Sequence, residues 1–297
     1  MATQKFSTLQ EAVQTLIHDG DSVALEGFTH LIPSAAGHEI IRQKKRDLTL
    51  IRMTPDLVYD MIIGMGGASR LVFSWGGNPG VGSIHRFRDA IERAWPQPLA
   101  IEEHSHADMA ARYQAGASGL PFAVMRGYVG SDLPRHNPNI RFIECPFTGE
   151  RLACTPALNP DVAVIHAQKA DRKGNVLITG IVGVQKEVVL AARRSIVTVE
   201  EIVDDIHDHA QMNSVVLPGW VVSAVCHVPG GAHPSYAHGY YKRDNAFYKA
   251  WDAIARDRDT FLAWMEKHVM GTADFAGFCR SVAAEGLIGT LPEEFCR

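Results

Sequence analysis

Several things are scarce in this 297-residue chain, and each absence narrows what it can be. Its five cysteines, Cys145, Cys154, Cys226, Cys279 and Cys296, contain no Cys-x-x-Cys pair. That excludes a zinc ribbon and a disulfide framework, and it points to a reducing, cytoplasmic setting. No 18-residue apolar run is present. The nearest, Ser214–Ala232, is interrupted by Pro218, Gly219 and Pro229, so it reads as strands and turns rather than a membrane span. Lys and Arg number 29 against 33 Asp and Glu, a net charge of −4, which offers nucleic acid or an anionic membrane no general attraction. The first twenty residues lack the charged-then-apolar pattern of a signal segment. There is no fixed-period repeat and no low-complexity linker. We therefore expect one continuous domain over residues 1–297.

What is present is an alternation. Leu9, Val13, Leu16 and Ile17 recur at helical spacing after a Ser7/Gln10 capping pattern, and Asp19-Gly20 ends that helix. Strand-like and helix-like stretches then take turns: 23–28, 34–45, 47–53, 56–63, 69–75, 85–95, 100–104 and 106–115. This rhythm predicts an α/β fold, an open and mainly parallel sheet with helices on both faces. Residues 141–145 and 151–155 suggest an antiparallel hairpin. Residues 162–166 and 196–202 read as strands, and 184–194, 245–269 and 273–284 as helices.

Four stretches could carry chemistry. Ser74–Ser83, with Gly76, Gly77, Asn78, Gly80 and Gly82, follows a strand and precedes a helix, where ligands bind in open α/β sheets. A nucleotide reading fails, because Ser83 stands where a Walker lysine is required and no Gly-x-Gly-x-x-Gly occurs. A plain tight turn is the alternative. Glu102–Asp108 (Glu-Glu-His-Ser-His-Ala-Asp) ends another strand, and alternation separates Glu102 and His104 from Glu103. Acid–base or nucleophilic work and a polar strand end with a helix cap both fit. Metal binding by His-x-His plus Asp is a third and weaker reading, since no later ligands stand at telling spacing, and no metal is expected. Val164–Val176 leaves the sheet through Gln168 and Lys169 into an Asp171–Gly174 turn that reads as solvated. Finally, residues 209–241 contain no Asp, Glu, Lys or Arg. A charge-free run holding Trp220, Tyr236, Tyr240 and Tyr241 is not an open surface. Its loop, Pro229–Tyr236 with Gly231 and His233, suits a substrate lid, a subunit interface or both.

Asp19–Pro33, an Asp-Gly pair, a short apolar strand, then Gly27-Phe28 and a proline, resembles the first signature of family I coenzyme A transferases. Glu26 replaces the first glycine of that signature's pair, and Ile32 the glycine before the proline. The His166–Asn175 segment and the Gly-rich, Glu-Glu and Gly230–Tyr240 stretches also resemble alpha (A) subunits of this family, in the same order. The family's Ser-Glu-Asn-Gly segment, which carries its nucleophilic glutamate, is absent.

The resemblance implies a heteromeric enzyme, a two-alpha, two-beta heterotetramer whose beta subunit supplies the glutamate. It implies transfer of coenzyme A from succinyl-CoA to a 3-oxo or dicarboxylic acid such as 3-oxoadipate. The coenzyme A thioester is then a substrate, and no cofactor is held permanently. Backbone donors near Gly27, Phe28, Gly76 and Gly77 would cradle oxygens. Asn78 and Gln168 would hold substrate, with Glu102, His104, Gly231 and His233 nearby. No catalytic residue is expected in this chain under that reading. A two-subunit hydrolase of acyl-CoA or C–C bonds using Glu102 or Glu103 is the alternative, and a non-catalytic metabolite binder of the same fold is a third.

Overall fold

The computed structural model describes residues 5–287 together with Gly289, Leu291, Pro292 and Phe295; Cys296 lies outside them. The strands are β1 (Ser22–Glu26), β2 (Leu48–Arg52), β3 (Ala68–Phe73), β4 (Ala100–Glu103), β5 (Phe122–Met125), β6 (Arg141–Glu144), β7 (Arg151–Pro156), β8 (Val162–Asp171), β9 (Val176–Thr179), β10 (Arg194–Val203), β11 (Ser214–Leu217) and β12 (Ala224–His227). The helices are α1 (Leu9–Leu16), α2 (Ser34–Arg42), α3 (Leu57–Gly64), α4 (His85–Arg93), α5 (His106–Ala117), α6 (Leu133–His136), α7 (Gln185–Ala191), α8 (Asn245–Arg256), α9 (Arg258–Met265) and α10 (Phe275–Ala283).

A nine-stranded sheet dominates the described residues. From β1 the chain steps outward through parallel β2, β3 and β4. On the other side of β1 it runs through parallel β8, β10 and β12. β8 is longer than β1, and past the end of β1 it pairs with antiparallel β9, which pairs with β11. A separate antiparallel sheet, β5-β7-β6, contains the expected hairpin.

The sheet is covered on both faces, which is why its central strands read as nearly continuous apolar runs. Val23 and Leu25 face one cluster, with Leu50, Ile62, Trp251 and Phe278. Ala24, one residue out of phase, faces the other, with Met109, Tyr113 and Val188 of α5 and α7. Burying a side chain such as Leu25 contributes on the order of 2 kcal/mol.

Three expectations need correction. The first capping box is Thr8/Glu11, one residue later than read: the Thr8 hydroxyl accepts the Glu11 N–H, and the Glu11 carboxylate accepts the Thr8 N–H. The expected helix 245–269 breaks at Asp257, whose side chain caps α9 by accepting the Thr260 N–H. The Asp171–Gly174 turn is solvated only at its tip: Arg172 and Lys173 are exposed, whereas Asp171 is buried and accepts from the Lys173 and Asn175 N–H groups. Asn175 reaches on to accept the Gly219 N–H at 2.7 Å.

Candidate active site

Strand order reverses between β1 and β8, so a crevice opens at the carboxyl ends of those strands, where open α/β sheets bind ligands. Three turns meet there: residues 27–33 after β1, 74–83 after β3, and 228–243 after β12.

The β1 turn is tightly determined. Arg52 at the end of β2 is buried and donates to the Gly27 carbonyl at 2.8 Å and to Asp56 at 2.9 Å. The Phe28 N–H lies on the opposite side of that same trans peptide plane, so it points away from Arg52. A Cβ on Gly27 would stand 2.6 Å from the Leu31 carbonyl and 2.9 Å from that of His30, so only glycine fits. Thr29 and Leu31 both adopt the left-handed region, with φ of 57° and 54°. Such strain in non-glycine residues needs outside support. Residues of the 228–243 turn give it: the Leu31 N–H donates to the Tyr236 carbonyl and the Ile32 N–H to the Ser235 hydroxyl.

Glu26 shares the face of Ala24, as alternation requires. It is buried and accepts from the Tyr113 hydroxyl of α5 at 2.9 Å and from the Met53 N–H at 3.1 Å. It therefore ties β1, β2 and α5 together, and holds no histidine. Burial pushes its carboxyl up to about 7, against the pull of Arg52.

In the Gly-rich turn, the Ser74 hydroxyl and the Trp75 N–H both donate to the Met53 carbonyl. The Gly77 N–H is taken by the Pro55 carbonyl at 3.1 Å, so Gly77 is not available as an oxyanion donor. The N–H groups of Phe28 and Gly76 have no protein acceptor among the described residues. The half-exposed Trp75 ring lies over Gly77. Asn78 is buried, donates to the Tyr248 carbonyl at 2.7 Å and keeps its Oδ1 unpartnered, which docks the turn on α8.

The third turn packs on both others. The Tyr236 and His30 rings lie 4.5 Å apart. His30 Nε2 accepts the His238 N–H at 2.9 Å, so Nδ1 carries the proton to the Ile181 carbonyl at 3.0 Å. Burial pushes this imidazole down to about 4 and keeps it neutral. Gly231 lies against the His166 ring, which bonds Thr198 and Glu200. Glu200 in turn accepts from the Tyr241 hydroxyl and the Gly230 N–H. His233 is buried on Asp244 at 3.1 Å with Nδ1 unpartnered, and burial lowers its pKa. Gln168 uses both ends of its amide on the Thr179 backbone, so it shapes the turn after β9 and is not free to grip a ligand. Reading the residues missed His30 and Arg243; the second was signalled, since Lys242-Arg243 ends the charge-free run.

Glu102 and His104 form a separate network on edge strand β4. His104 Nδ1 meets Asp108 at 2.6 Å, and Nε2 lies 2.8 Å from Glu102 and 2.7 Å from Arg112. Glu102 also pairs with Arg70 and with Arg112 at 3.1 Å. Burial opposes its charge, but His104, Arg112 and Arg70 outweigh that and hold its carboxyl well below the usual range. Glu103 is exposed off the other side, in a cavity of about 510 Å³ shared with Arg70, His136 and Asn139. Among the described residues no group of three or more His, Cys, Asp or Glu is placed to hold a metal ion, and no helix is long and apolar enough to cross a membrane.

This architecture has known relatives. The coenzyme A transferase family model matches residues 6–227. Over 276 residues, 93% of this chain and 97% of the relative, the chain is 70% identical to the alpha (A) chain of 3-oxoadipate CoA-transferase from Pseudomonas knackmussii. The crystal structure of glutaconate coenzyme A-transferase from Acidaminococcus fermentans superposes with a TM-score of 0.88 at 32% identity, covering 95% of this chain and 94% of that one. The decarboxylase AibA/AibB, as a cysteine-to-serine variant, matches with a TM-score of 0.75, also at 32% identity, over 89% and 99%. The chain belongs to the coenzyme A transferase family, as the alpha subunit of a CoA-transferase enzyme like 3-oxoadipate CoA-transferase.

Proposed function

We propose that this chain forms half of the active site of a cytoplasmic heterotetramer that moves coenzyme A from succinyl-CoA to 3-oxoadipate or a close diacid. The nucleophilic glutamate comes from the beta subunit. It attacks the acyl-CoA carbonyl and expels the thiolate, giving a mixed anhydride. Coenzyme A returns to the glutamyl carbonyl and releases the carboxylate, leaving a glutamyl thioester; the acceptor acid then reverses both steps. Each attack develops an oxyanion, and fixed N–H donors stabilise it. Phe28 and Gly76 are the donors this chain offers.

The observation that carries the reading is the state of the crevice. The Phe28 and Gly76 N–H groups have no protein acceptor among the described residues, while Glu26 and Glu200 are each already held by hydroxyl and N–H groups. This supports a nucleophilic carboxylate supplied by the partner. Mass spectrometry of the assembled enzyme after exposure to succinyl-CoA tests this. A coenzyme A adduct is expected on the partner and not on this chain; an adduct on this chain overturns the assignment.

A hydrolytic reading retains one specific observation: Glu103 is exposed in a cavity that Glu102 also lines, where Glu102 is buried in its ion pairs. It predicts release of free coenzyme A without an acceptor acid.

A further inference from the structure

The 236–243 segment curls around an open pocket of about 390 Å³, with Tyr236, His238, Tyr240, Lys242 and Arg243 in its wall. It shares Tyr236 and His238 with a second cleft of about 390 Å³ that reaches Thr179 and Asn213. Arg243 is fixed at one side of the first. Its guanidinium sits 4.1 Å from the Tyr248 ring centroid and donates to the Pro79 carbonyl at 2.5 Å. Asp56 feels its charge, but Asp56 is already paired with Arg52 at 2.9 Å. Among the described residues no carboxylate forms an ion pair with Arg243, so a partly buried, oriented cation faces a cavity without a counter-ion.

Pro79 lies three residues beyond Gly76, at most about 10 Å of extended chain. The separation of the Gly76 backbone from the Arg243 guanidinium is therefore of the order that one short diacid spans. A planar guanidinium suits a carboxylate because two parallel N–H groups match its two oxygens.

Building on the functional reading above, we propose that Arg243 binds the distal carboxylate of the diacid and makes the enzyme select diacids over monoacids. A phosphate group of coenzyme A offers similar oxygens, so the test must separate the two.

The test uses the assembled two-subunit enzyme with Arg243→Gln and Arg243→Lys. In the rate arm, 3-oxoadipate is compared with 3-oxohexanoate, which replaces the distal carboxylate with a methyl group. A site built around a polar group rejects an analogue lacking it by a large factor. We expect the ratio of kcat/KM values to fall by about 30-fold or more in Arg243→Gln, through the KM of the diacid, with Arg243→Lys intermediate. In the binding arm, calorimetry measures adipate, hexanoate and coenzyme A. Adipate binding should weaken by a similar factor while coenzyme A binding holds. An unchanged ratio, an equal fall for both acids, or weakened coenzyme A binding with intact adipate binding overturns the proposal. If the wild-type enzyme transfers coenzyme A to neither acid, the functional reading fails, and the binding arm alone decides this inference.

Discussion

The Tyr113 hydroxyl donates to the buried carboxylate of Glu26 at 2.9 Å, so the acidic residue just before Gly27-Phe28 belongs to the frame beneath the crevice. This has a pH consequence. Burial raises the Glu26 carboxyl from its ordinary 4.5 to about 7. Between those values the folded protein keeps a proton that the unfolded chain has released. The associated stability is fully present below about 4.5 and is lost as pH rises through 7, a change on the order of 3 kcal/mol. Glu26→Gln keeps an oxygen for Tyr113 and Met53 but cannot ionise. Denaturant melts should show the two proteins similar at pH 5 and the variant the more stable at pH 8. A difference that does not change with pH contradicts this.

Gly27 and Gly77 should respond differently to alanine. At Gly27 the added Cβ meets backbone atoms of His30, Leu31 and Ile32, which cannot move aside. We expect Gly27→Ala to lose about 2 kcal/mol or more of stability, together with turnover. At Gly77 the Cβ meets the edge of the Trp75 ring at 2.6 Å, and that side chain is half-exposed and can swing away. Gly77→Ala should cost under about 1 kcal/mol in melting experiments. Its effect on coenzyme A transfer then reports how much the ring's position matters.

Glu102 holds its network together rather than standing ready to attack. Removing it leaves Arg112 buried without its carboxylate and strips His104 of one of its two, and breaking a buried pair costs about 3–5 kcal/mol. Glu102→Ala should lower the melting temperature sharply. A Glu102→Ala protein as stable as the wild type would mean that this network is not formed.

Much of the fold was legible because it rests on local periodicity. The alternation from β1 to α5 follows from apolar strand runs and glycine-marked turns, and the observed elements fall within a few residues of the expected ones. The short strands β5 and β9 carry too little pattern of their own and exist because neighbours pair with them, whereas β11 and β12 fall in the stretch 214–232 that reads as strands and turns. The site was legible as places, not as roles. Gly76, Gly77 and Asn78 stand out as a strand-to-helix turn, but only the fold shows that Pro55 takes the Gly77 N–H. Gln168 looks like a ligand-binding amide until β9 folds back and uses both its ends. Lys242-Arg243 closes the charge-free run, yet the approach of Arg243 to Pro79 spans 164 residues of sequence, beyond any local pattern.

The most direct measurement of the central claim is a coupled assay of this chain and its beta partner, each alone and together, with succinyl-CoA in the presence and absence of 3-oxoadipate. Coenzyme A transfer is predicted only when both chains and the acceptor acid are present, with no free coenzyme A released when the acid is omitted. Transfer by this chain alone, or steady release of coenzyme A without an acceptor, would contradict it.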